Sequence, residues 1–240
     1  MSVLYAYLGN TPITFGSYGS TSSVASTSTT WTRPSDWLAM PDTSSMTGSA
    51  GAFVGLFAVY TGSSNFVALS AAPSYSVNWG DGVNTASLYA SGVQANYSYS
   101  FDSLPSSSYS SGSGATGGVG GYRQVLITVT PSGSGQLTNV NLQKKNNSTT
   151  QILSMTSNTN YGVDWLDIAV GGSNISSLSI GGASSPYLRS LQRGNIVNIS
   201  SSLTNFSSMF QNCYSLSSVP LFNTQNGSNF SSMFNSCNSL

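Results

Sequence analysis

The sequence predicts a mainly β protein: a β-sandwich in the first half and a repeat solenoid with short helices in the second. Three observations predict it. First, Asn205-Phe206-Ser207-Ser208-Met209-Phe210, with Cys213, Ser215 and Leu216, recurs as Asn229-Phe230-Ser231-Ser232-Met233-Phe234, with Cys237, Ser239 and Leu240, 24 positions on. A fixed period of that length marks stacked units. Second, residues 52–130 hold several short apolar segments bounded by Gly, Ser, Asn and Pro, the pattern of short strands. Third, L-x-x-L-x-L spacing recurs after Pro131.

Residues 1–30 are rich in Gly, Ser and Thr and read as an arm or linker. Val3–Leu8 within it suits a strand that pairs with a neighbouring molecule; a disordered tail is the competing reading. Trp31-Thr32-Arg33-Pro34-Ser35-Asp36-Trp37-Leu38 cannot be a regular strand, because Pro34 and Pro41 interrupt it. Its two Trp and one Arg suit either a sugar-stacking site or, more commonly, a domain edge with Arg33 against a ring. Residues 52–60 and 65–70 read as paired strands. Tyr75, Val77 and Trp79 fall on one face of the next strand, and Gly80-Asp81-Gly82 closes a turn. Tyr97–Tyr99 and Gly121–Thr130 supply further strands, with Ser103–Gly120 as a low-complexity insertion.

Trp79-Gly80-Asp81-Gly82 and the Val125–Thr130 strand together resemble a PKD domain, an immunoglobulin-like sandwich. The resemblance spans roughly residues 50–131, with Tyr97 standing where that family often has His. It implies a structural Asp81 that binds nearby backbone N–H groups, and a spacer or adhesive module. The Trp31–Leu38 segment resembles one in environmental phage structural proteins.

After Pro131 the L-x-x-L-x-L pattern appears as Leu137/Val140/Leu142, Val163/Leu166/Ile168, Ile175/Leu178/Ile180 and Leu216/Val219/Leu221, with Gly194/Val197/Ile199 as a degraded copy. The 12-residue step from Leu166 to Leu178 is too short for a full unit. Residues 132–200 are therefore read as an irregular cap, with regular 24-residue units from about 201. Within a unit, Phe206, Met209, Phe210 and Cys213 sit at i, i+3, i+4 and i+7, one face of a helix, and Leu216, Val219 and Leu221 form the strand. Residues 205–240 resemble the leucine-rich-repeat-like units of BspA-type surface proteins, which implies surface contact. The predicted repeat core is Phe206, Met209, Phe210, Cys213, Leu216, Phe230, Met233, Phe234, Cys237 and Leu240. The expected organisation is thus 1–30 arm, 31–131 PKD-like sandwich and 132–240 solenoid, and further repeats are expected beyond Leu240.

Composition narrows function. Charged residues make up 5% of the chain against roughly 25% in an ordinary domain, and 6 Lys+Arg balance 6 Asp+Glu. Near-zero net charge favours association and suits an assembly. No basic patch exists beyond Lys144-Lys145, so no nucleic-acid binding is expected. No apolar run reaches the roughly 18 residues of a membrane span, and Met1–Tyr5 lacks the basic start of a signal peptide.

The chain has no His and 2 Cys, which excludes a Ser-His-Asp triad and leaves no Cys/His metal spacing. Acid–base chemistry would rest on Asp alone. Asp164 and Asp167 lie three apart, on opposite faces of a strand, and Asp36, Asp42, Asp81 and Asp102 carry no motif. Cys213 and Cys237 occupy equivalent positions in adjacent coils. Strand spacing of about 4.8 Å would allow a disulfide, but parallel side chains favour free, stacked thiols. No catalytic, cofactor or metal residue is expected.

The sequence thus points to a non-enzymatic virion surface component, a fibre, decoration or host-contact protein that assembles with other virion proteins and as a homo-oligomer. A host-surface glycan or protein is the expected target, bound with little dependence on salt. A bacterial cell-surface or matrix adhesin is the alternative, and an Asp-dependent glycan-active enzyme a remote third.

Overall fold

The computed structural model describes residues 5–8, 11–14, 31–42, 46, 51–61, 65–82, 86–110, 121–146, 161–182, 188–199 and 202–240. The chain divides into two compact units, 1–32 and 33–240. In the first, β1 (Tyr5–Leu8) pairs antiparallel with β2 (Thr11–Thr14), Tyr5 opposite Thr14. The strand expected to pair with a neighbouring molecule therefore has a partner in its own chain. Val3, Leu4 and the rest of the arm to residue 30 lie outside the described residues.

The second unit is mainly β, and its described residues form two sheets. One contains β3 (Ala52–Tyr60), β5 (Tyr75–Asn78), β6 (Ser87–Tyr89), β8 (Tyr109–Ser110), β9 (Tyr122–Pro131), β11 (Trp165–Gly171) and β13 (Arg193–Val197), in the order β13-β11-β3-β9-β5-β6 with β8 beside β9. The other contains β4 (Asn65–Ala72), β7 (Ala95–Tyr99), β10 (Asn139–Asn141) and β12 (Ser177–Ser179), in the order β12-β10-β4-β7.

This order corrects one expectation. Residues 52–60 and 65–70 are not paired with each other: β3 pairs with β9 and β11, whereas β4 pairs with β7 and β10. The interior positions of both strands are buried, so neither shows the alternation of a half-exposed hairpin.

The change of sequence pattern at Pro131 is not a break in packing. β10 lies antiparallel to β4, and β11 lies antiparallel to β3. Each later segment then adds in parallel: β12 on β10, and β13 on β11. Leu166 and Leu178 thus belong to different sheets, which explains their 12-residue spacing: it is a crossing from one sheet to the other. One hydrophobic cluster runs from Phe53 and Trp79 through Leu137, Ile168 and Ile180 to Cys237.

The layering continues into the repeats. Gly181 and Gly182 donate to the carbonyls of Met209 and Gln211 at 2.7 and 3.1 Å. Phe206, Ser208, Phe210 and Asn212 donate to Asn229, Ser231, Met233 and Asn235 at 2.8–2.9 Å. The short helices expected here are absent among the described residues. Ser208 and Asn212, and their counterparts Ser232 and Ser236, have φ of 55 or 64°, the left-handed region that a right-handed helix excludes. The backbone instead makes successive turns, with i to i+3 bonds such as Met209 to Phe206 at 3.3 Å. Alternate N–H groups thereby point at the next layer. The i, i+3, i+4, i+7 apolar set still faces inward, because the turns keep that spacing.

Candidate binding surface

The turn at Trp79–Gly82 is built as a rigid corner. Gly80 and Gly82 both have φ of 73°. A Cβ on Gly80 would lie 2.2 Å from the Leu126 carbonyl oxygen, so that position needs Gly for space as well as conformation. Trp79 is buried and stacks on Tyr97 at 5.0 Å. The Tyr97 hydroxyl donates to the Asp81 carboxylate, and the Tyr99 hydroxyl donates to the Trp79 carbonyl at 2.6 Å. Burial holds the Tyr99 hydroxyl well above its usual pKa.

Three further carboxylates, Asp167, Asp164 and Asp36, are also engaged. Asp167 is fully buried; it accepts Arg33 Nε at 3.0 Å, and Arg193 lies 3.8 Å away. Burial raises its pKa against the pull of both Arg. Asp164 accepts Ser190 Oγ at 3.3 Å, and burial pushes its pKa up to about 6. Asp36 accepts Ser110 Oγ. Asp164 and Asp167 thus have separate partners. Among the described residues, no group of three or more His, Cys, Asp or Glu is placed to hold a metal, and no helix is long and apolar enough to cross a membrane.

Within the second unit, Arg33–Leu38 packs as an edge. Trp37 is buried with its indole N–H on Tyr122 Oη at 2.8 Å, so its face is not free for a sugar. Arg33 sits 5.3 Å over the Trp37 ring and also bonds the Leu38 carbonyl at 2.5 Å. It fastens this segment to β11 through Asp167.

In the repeats, Phe206, Met209, Phe210, Cys213 and Leu216 are all buried. In the second copy Met233 and Cys237 are buried, Phe230 and Phe234 are half-buried, and Leu240 is exposed. Phe210 and Phe234 stack 5.6 Å apart within 1° of parallel. Both cysteines are free and buried, and Cys237 Sγ donates to the Phe210 carbonyl at 3.0 Å. Burial pushes the Cys237 thiol up to about 11.

The strand expected over Leu216, Val219 and Leu221 stops early. Ser218 N–H donates to Gln192 O at 3.0 Å, and Gly194 N–H donates to Ser218 O at 3.0 Å, giving one parallel bridge between Arg193 and Ser218. The next donor in that register is residue 220, a Pro with no N–H, so the ladder ends. The chain swings away and leaves Leu221 fully exposed. An open groove of about 470 Å³ separates Asn195–Ile199 from Leu221, Phe222 and Asn223. Sequence reasoning placed Val197, Ile199 and Leu221 in apolar strand patterns and missed the groove they line, although Pro220 inside a strand that must pair was the available signal.

The chain matches no protein-family model, no curated protein and no solved structure.

Proposed function

We propose that the chain is a non-enzymatic surface component of a virus particle, acting by assembly and contact rather than by chemistry. The observation that carries this reading is the in-register layering of Asn205–Cys213 on Asn229–Cys237. Such stacking builds an elongating surface from identical elements, the physical logic of a binding or structural solenoid. The fold is read in finer terms as a PKD-like sandwich whose two sheets are lengthened by a leucine-rich-repeat-like solenoid. The Trp79–Asp81–Tyr97 corner supports the first part, and the parallel additions of β12 and β13 support the second. The 5% charge content supports an assembled state, since little electrostatic repulsion keeps copies apart.

The test is immunogold electron microscopy of the source culture with an antibody to residues 136–240. Label on virus particles is expected. Label confined to cell envelopes or matrix would overturn this reading in favour of an adhesin.

A further inference from the structure

We propose that the groove between Asn195–Ile199 and Leu221–Asn223 binds a neutral carbohydrate, a short oligosaccharide. Its volume, about 470 Å³, falls in the range of small-ligand sites, roughly 300–1,000 Å³. Asn195, Asn198 and Asn223 line it, and among the described residues no charged side chain does. Amides donate and accept together, which matches the paired donor and acceptor character of sugar hydroxyls. An uncharged lining suits neither a phosphate nor an acidic peptide. Asn223 Oδ1 already accepts the Gln225 N–H at 2.9 Å, so its NH₂ is the group left to donate.

The apolar side of a sugar ring needs a platform, and the groove has one. Phe222 is half-buried, with its ring 5.8 Å from Phe206, which in turn stacks on Phe230 at 5.0 Å. The platform is thus backed by the repeat core, which lowers the cost of ordering it on binding. Leu221, with 101% relative exposure, is an apolar side chain that the fold itself does not use. A peptide strand is the less suitable occupant. β13 ends at Val197, and Asn198 has φ of 50°, so little straight edge remains for strand addition.

The proposal deepens the reading of the chain as a contact protein, and its test is independent of location. The full chain is titrated by calorimetry against a panel of neutral di- and trisaccharides of glucose, galactose, mannose and N-acetylhexosamines. At least one is expected to saturate, with affinity unchanged between low and high salt. Leu221→Ala and Asn198→Gly should each weaken it by about tenfold or more. The first removes a side chain outside the core and the second keeps the positive φ, so both should unfold at the parent temperature. No saturation by any saccharide, or parental affinity in both variants, overturns the site. Gold label on particles together with no saccharide binding would sink the groove alone. Saccharide binding with label on cell envelopes would sink the virion reading alone.

Discussion

Phe206 and Phe230 lie face to face, their ring centroids 5.0 Å apart and their planes 3° from parallel. The 24-residue period produces that contact: Asn205 bridges in parallel with Asn229, and the alternating N–H groups from Phe206 to Asn212 each reach a carbonyl of the next layer. The two rings are not equivalent in burial. Phe206 is fully buried, whereas Phe230 is half-buried. Phe206→Ala should therefore destabilise the chain by about 3–5 kcal/mol, the cost of a large aromatic cavity. Phe230→Ala should cost clearly less. Equilibrium denaturation of the two variants measures the difference, and equal losses would mean that the layers do not stack in this way.

Arg33 and Asp167 should behave as a coupled pair. Removing the guanidinium leaves a fully buried carboxylate whose remaining cation, among the described residues, is Arg193 at 3.8 Å. Arg33→Ala should cost about 3–5 kcal/mol at neutral pH. The double variant Arg33→Met, Asp167→Leu should cost less than Arg33→Ala, because no buried charge is stranded. A double-mutant cycle by chemical denaturation checks this, and additive losses would refute the coupling.

Much of the second half was legible from periodicity. Leu137, Val140 and Leu142, and Ile175, Leu178 and Ile180, are all buried as L-x-x-L-x-L spacing requires. The Trp79–Gly82 corner was legible because Gly-Asp-Gly after a strand marks a turn, and glycine admits the positive φ that both positions take. The assignment of β3 and β4 to different sheets was not legible, since strands buried on both faces lose the alternation that fixes pairing. Helix and turn series were indistinguishable around Phe206–Cys213, because both place i, i+3 and i+4 on one face. Only the left-handed Ser208 and Asn212 separate them, and Ser carries no signal for that region. The groove was hidden for a similar reason: apolar spacing placed Leu221 inside, while the missing N–H of Pro220 sends it out.

Gly80 and Gly82 share the same φ and should differ sharply in tolerance. Both would pay roughly 1 kcal/mol or more for a left-handed non-Gly residue. Gly80→Ala must in addition push its Cβ into the Leu126 carbonyl at 2.2 Å, whereas Gly82 has open space around it. Gly80→Ala should thus lower the melting temperature well beyond Gly82→Ala. Similar shifts for both would argue against close packing of this turn on β9.

Asp164 should give the chain a stability that falls as pH rises. Burial lifts its folded pKa to about 6 from an ordinary 3.8. Between those values the folded chain holds a proton that the unfolded chain releases. Stability is therefore unaffected by this group below about pH 4, declines through pH 4–6, and carries the full penalty above about 6. A gap of that size corresponds to at most about 3 kcal/mol. Asp164→Asn, which stays neutral and can still take the Ser190 hydroxyl, should raise stability at pH 7–8 and leave it unchanged near pH 4. Urea denaturation across that range, on parent and variant, reads the difference directly. A variant no more stable than the parent at pH 8 would mean that Asp164 ionises in the fold without penalty, through Ser190 and Arg189, the two groups that already draw its pKa down.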